Sequence, residues 1–71
     1  MPLLSEIKIP GKTSIKTIRG QESMRLLEMG LTPGTAIEII RSAPLGFPIE
    51  IKIRGYLLSL RKSEAQCIEI V

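Results

Sequence analysis

One stretch of this chain, Met24 to Gly34, contains both the end of a helix and the start of a strand. Met24, Leu27 and Leu31 fall at i, i+3 and i+7, and Leu26 widens the apolar stripe, so the segment reads as a short amphipathic helix. Gly30 follows the last apolar-periodic position. A helix favours a left-handed residue there, because glycine has no Cβ to clash. Pro33-Gly34 then reads as the centre of a type II turn, with proline setting φ at the first position and glycine supplying φ > 0 at the second. Ser23 is the expected N-cap, with Gln21 as the alternative. Arg25 and Glu28 are expected to pair on the outer face. The rest of the chain is strand-like, which makes this the one substantial helix of a small β domain.

The flanking segments follow from turn chemistry and alternation. Ser5 and Glu6 can start a single helical turn with Leu4 and Ile7 packing inward, and Pro10-Gly11 signals a turn. Ser14–Arg19 is β-branched and reads as a strand, but Ile15 and Ile18 differ in parity, so a bulge is expected. Thr35–Arg41 is the next strand, with Ile37 and Ile39 on one face. Ala43–Pro48 holds two prolines around a glycine and is a loop at a hairpin tip. Ile49–Arg54 alternates without fault. Gly55 allows a tight turn into Tyr56–Leu60, where Tyr56, Leu58 and Leu60 share a face. Arg61–Gln66 supplies about one helical turn, and Cys67–Val71 closes the chain as a strand. Five short strands with one helix predict a mainly β fold, a small five-stranded SH3-like barrel formed by a single domain over residues 1–71.

Composition narrows the chemistry. Seventy-one residues with 44% hydrophobic content can bury a core, and aromatics are only 3%. The net charge is +3, but lysine and arginine are interspersed with glutamate, so no nucleic-acid footprint is expected. There is no histidine, and the lone Cys67 has no partner for an internal disulfide. Catalysis by a tuned base or nucleophile is therefore not expected, nor is a cofactor. A reducing, cytoplasmic setting is the simplest reading. No signal peptide and no apolar run of membrane-spanning length is visible. No metal site can be specified; Glu64 and Glu69 are the carboxylates that could contribute to a weak site shared within an oligomer. Cys67 reads as a small apolar or half-exposed residue.

Four residues stand out as candidates for partner binding. Leu45 and Phe47 lie between prolines in a loop, and Phe47 reads either as a lid folded onto the barrel or as an apolar knob for a partner. Arg25 lies on the helix. Arg61 ends a strand and reads either as a contact or as a solvated residue bonding nearby carbonyls.

Taken together, Arg25-Leu26-Leu27-Glu28-Met29-Gly30-Leu31, Pro33-Gly34, Ala43-Pro44-Leu45-Gly46-Phe47-Pro48, Gly55, and Leu60-Arg61 with Ser63-Glu64-Ala65 resemble the FeoA family in order and spacing along the whole chain. The resemblance implies an SH3-like barrel similar to the C-terminal barrel of DtxR-type iron-dependent repressors. It also implies a non-enzymatic cytoplasmic accessory of ferrous iron transport, acting on the cytoplasmic G domain of a FeoB-type transporter. Two departures stand out. The family typically has aspartate where this chain has Phe47, and many members carry more basic residues on the helix than Arg25. Two further readings are a metal-responsive regulator of the repressor type, for which the chain lacks a helix-turn-helix, and a module that self-associates through the Leu45/Phe47 tip.

Overall fold

The computed structural model describes residues 2–7 and 9–71. After a 3-10 turn over Leu4–Glu6, the chain forms β1 (Gly11–Ile18), α1 (Ser23–Glu28), β2 (Ala36–Ser42), β3 (Ile49–Ile53), β4 (Tyr56–Leu60), α2 (Lys62–Ala65) and β5 (Ile68–Ile70). All pairings are antiparallel, in the order β4-β3-β2-β1-β5. This is the SH3-like barrel expected from the sequence. Strand β1 serves two neighbours in turn: Gly11–Ser14 pairs with β2, and Ile15–Ile18 pairs with β5. The register slips between Ile15 and Thr17, at the expected bulge, and again in β2 between Ile39 and Arg41. Such bulges sharpen twist and bend a sheet, and here they curl it around one core.

The core is aliphatic. Ile49, Ile51 and Ile53 all point inward, as their alternation requires, and meet Ile15, Ile37, Ile39, Leu60, Ile68 and Ile70. Arg54-Gly55 makes the β3–β4 turn with both residues at positive φ, 51° and 87°, the geometry of a two-residue hairpin. Leu4 is buried and Ile7 packs against the cluster.

The end of α1 shows why glycine is required at position 30. Its φ is +95°. The Gly30 N–H donates to the Leu27 carbonyl at 3.0 Å, and the Leu31 N–H donates to that of Leu26 at 3.0 Å. Together these bonds form a Schellman motif, which satisfies carbonyls that the helix end would otherwise leave open. The apolar stripe, however, differs from expectation. Leu26 and Leu31 are fully buried, whereas Met24 is exposed and Leu27 is 37% exposed. The reversal at Gly30 takes Leu31 off the helix, so a 3.6-residue period cannot be extended to it. The helix N-cap is Glu22, and Ser23 is the first helical residue. Gly11 also differs from expectation: it opens β1 opposite Ile39 and is not a turn residue.

These placements separate neighbouring positions. Leu26→Ala is expected to cost about 2–5 kcal/mol, as for a buried leucine, and Leu27→Ala less than about 1 kcal/mol, both read from urea unfolding. Gly11 has open space around a built Cβ, whereas at Gly20 (φ +99°) a Cβ would lie 2.8 Å from the Cys67 Sγ. Gly11→Ala should therefore be neutral or stabilise by about 0.4–1 kcal/mol, and Gly20→Ala should lower stability by about 1–3 kcal/mol. Melting curves of the two variants check the contrast.

Candidate functional site

The β-sheet register gathers three of the four candidate residues, Leu45, Phe47 and Arg61, at one end of the barrel. Ser42 pairs with Ile49 and Ile49 with Leu60, so the Ala43–Pro48 loop and Arg61 emerge from the same end of the sheet. The loop is closed at its base by the Ala43 N–H donating to the Pro48 carbonyl at 3.1 Å, and within by the Gly46 N–H donating to that of Ala43 at 2.7 Å. Leu45 projects from it, 96% exposed. Phe47 is half-buried and packs against the aliphatic core. The two apolar residues of the loop thus divide into one that anchors and one that protrudes.

Below the loop lies an open groove of about 410 Å³, lined by Arg41, Ser42, Ala43, Pro44, Pro48, Glu50 and Ser59. Arg41, Glu50 and Ser59 sit side by side across β2, β3 and β4. The Arg41 Nε donates to Glu50 Oε1 at 2.6 Å. That pair neutralises itself and leaves the groove a mixed lining of prolines, hydroxyls and aliphatic stems.

Arg25 and Arg61 come together at a residue whose part in the site sequence reasoning missed. Glu64 in α2 is only 2% exposed. Its Oε2 forms an ion pair with Arg25 Nη1 at 2.9 Å, and its Oε1 accepts the Arg61 backbone N–H at 2.8 Å. Arg61 Nε stands 3.7 Å from the same oxygen. Arg25 also lies 3.6 Å from Glu22, so the expected Arg25–Glu28 pair is replaced by pairs with Glu22 and Glu64. The clue available in sequence was Glu64 three residues after Arg61 at the start of a helical turn, the spacing at which an acidic side chain reaches back to the N-cap N–H.

Glu64 and Glu69 do not form a shared metal site within this chain. Glu64 is committed to the arginines. Glu69 Oε1 accepts the Thr17 hydroxyl at 2.8 Å, and that bond holds its carboxyl below the usual carboxylate value, aided by Arg19 and Lys16 and opposed by burial. Among the described residues no group of three or more His, Cys, Asp or Glu side chains is placed to hold a metal ion. Cys67 is half-buried, with its thiol donating to the Ser63 carbonyl at 3.3 Å. No helix among the described residues is long and apolar enough to cross a membrane.

A family model described as the FeoA domain matches residues 3–71. The Fe(2+) transport protein A/Fe(2+) transporter FeoB fusion protein of Porphyromonas gingivalis is 40% identical over 52 residues, which cover 73% of this chain and 6% of that protein. The solved FeoA-like protein from Clostridium acetobutylicum superposes with a TM-score of 0.88 at 39% identity, covering 97% of this chain and 83% of that one. The zinc complex of Stenotrophomonas maltophilia FeoA, described as an SH3 domain protein, shares the fold at TM-score 0.85 and 21% identity, covering 100% of this chain and 91% of that one.

The Arg25–Glu64 contact can be tested alone. Arg25→Ala leaves a buried carboxylate with one partner fewer and is expected to cost about 1–3 kcal/mol, discounted for the half-exposed arginine. Adding Glu64→Gln should recover part of that loss. A double-mutant cycle in urea measures both.

Proposed function

The chain belongs to the FeoA family, and from that premise we propose that it is a non-enzymatic, cytoplasmic accessory of ferrous iron transport. In this reading it binds the cytoplasmic part of a FeoB-type transporter, its G domain being the expected contact, and thereby modulates uptake. The observation that carries the reading is the fused relative, in which a segment like this one shares a polypeptide with FeoB. Covalent linkage raises the effective concentration of two modules for one another without any new contact, so a fusion favours partners that also meet as separate chains. The barrel offers a fitting surface: Leu45 stands out from a loop closed at its base, anchored by Phe47. Rigid loops on a β scaffold are common sites of recognition, because little entropy is lost on binding. The absence of histidine supports a role without acid–base chemistry.

Titration against the soluble cytoplasmic part of the cognate transporter tests the proposal. The wild-type chain should bind. Leu45→Asp, at a position open to water, should weaken binding by about tenfold or more, near 1.4 kcal/mol, with an unchanged melting temperature. Absence of wild-type binding, with normal ferrous iron uptake in a strain lacking the protein, would overturn it.

A further inference from the structure

The two edges of the sheet are finished differently. Along β5 the N-terminal segment covers the outer side: Leu3 bridges to Glu69, and the Ile70 N–H donates to the Pro2 carbonyl at 3.0 Å. Along β4 nothing comparable is found among the described residues, and the sheet order ends there. In a two-residue hairpin the residues flanking the turn exchange both bonds, so Tyr56, Leu58 and Leu60 spend their backbone groups on β3. The N–H and C=O groups of Leu57 and Ser59 therefore point away from the sheet. Edge strands of monomers are normally protected by a charge, a proline or a bulge. Tyr56-Leu57-Leu58-Ser59-Leu60 has none of these, and Leu57 is 59% exposed.

We propose that the open edge of β4 is a docking site for an extended protein segment, apolar in the middle and acidic at its ends, which adds to the sheet as a sixth strand. The inference rests on the reading of this chain as a protein-binding accessory and specifies where and how it binds. Main-chain bonds to Leu57 and Ser59 supply register, and the exposed Leu57 side chain supplies apolar contact. Charge selects the occupant. Arg54 precedes β4, and among the described residues its hydrogen-bond partners are the hydroxyls of Thr32 and Thr35 at 3.5 and 3.3 Å. Arg61 and Lys62 follow it, and the carboxylate nearest Arg61 is already matched by Arg25. A second copy of the chain, paired antiparallel about Leu58, would bring the Arg54 turn of each copy to the end of the other where Arg61 and Lys62 follow the strand, cation facing cation at both ends. An acid-flanked strand meets attraction at both ends. The edge also runs into the groove beneath the Leu45 loop, through Ser59, so one ligand can engage both.

The test uses a synthetic peptide of alternating valine and threonine with two aspartates at each end, and a counterpart ending in lysines. In hydrogen exchange followed by NMR, the aspartate peptide should slow exchange of the Leu57 and Ser59 amides by about tenfold or more, leaving those of Tyr56, Leu58 and Leu60 unchanged. The lysine peptide should bind at least about tenfold more weakly. Leu57→Lys and Ser59→Pro should each abolish the effect. The proline removes an outward N–H that β3 does not use, and the lysine variant is the safer for folding. Unaltered exchange at both amides, equal binding of the two peptides, or protection that grows with the protein's own concentration without peptide would each overturn the proposal. No transporter enters this experiment, so its failure is distinct from failure of the accessory role.

Discussion

A single buried carboxylate organises one end of this barrel. Among the described residues Glu64 is the only charged or polar side chain that is buried. A carboxylate removed from water is costly unless each oxygen is satisfied, and here each oxygen has a different partner. One accepts the Arg61 N–H and so caps α2. The other forms an ion pair with Arg25 and so joins α2 to α1. The sequence separation is large, yet the geometry is fixed from both sides. Moving α1 would strand the carboxylate, and unwinding α2 would release it to water.

Both helices need this kind of support. They are six and four residues long, well below the length at which helices persist in water by themselves. Helix α1 is held at its C-terminus by the Schellman bonds of Gly30 and Leu31, and by the Tyr56 hydroxyl donating to the Met29 carbonyl at 2.8 Å. That last contact ties the start of β4 to the end of α1. The helices therefore close the sheet because tertiary contacts hold their ends, and their intrinsic propensity contributes little.

Those same contacts mark the limit of what the sequence discloses. Ile49–Ile53 alternates over a whole strand, and a period of two admits one register, so its inward face was legible. Gly30 and Pro33-Gly34 were legible because few residues tolerate their backbone angles. The α1 stripe was not. A helix of under two turns gives too few periods to separate Leu26 from Leu27, and the reversal at Gly30 breaks the count before Leu31. Strand β1 starts earlier than turn chemistry implied because Gly11 finds an unhindered pairing opposite Ile39, a long-range fact that Pro10-Gly11 cannot announce. Among the candidate site residues, Arg25 and Arg61 were visible as charges. Their convergence on Glu64 depends on how α1 meets α2 across the fold, and no local pattern encodes that.

The loop shows how one position redistributes a surface. Where the resemblance leads one to expect an aspartate, this chain has Phe47, and the ring packs against the core instead of presenting a charge to solvent. An apolar anchor at that point, with prolines on either side of the tip, lets the loop hold Leu45 out without a compensating contact. Among the described residues the acidic groups near the loop are already matched, Glu50 by Arg41 and Glu64 by Arg25. Arg61 and Lys62 follow β4 at the loop end of the strand, and Arg54 precedes it at the other end. In the proposed docking, an apolar tip beside an uncharged strand edge, with cations at both ends of the strand, would discriminate by the sign of its ligand's ends. Affinity would then come from backbone and leucine contacts, and choice of partner from charge.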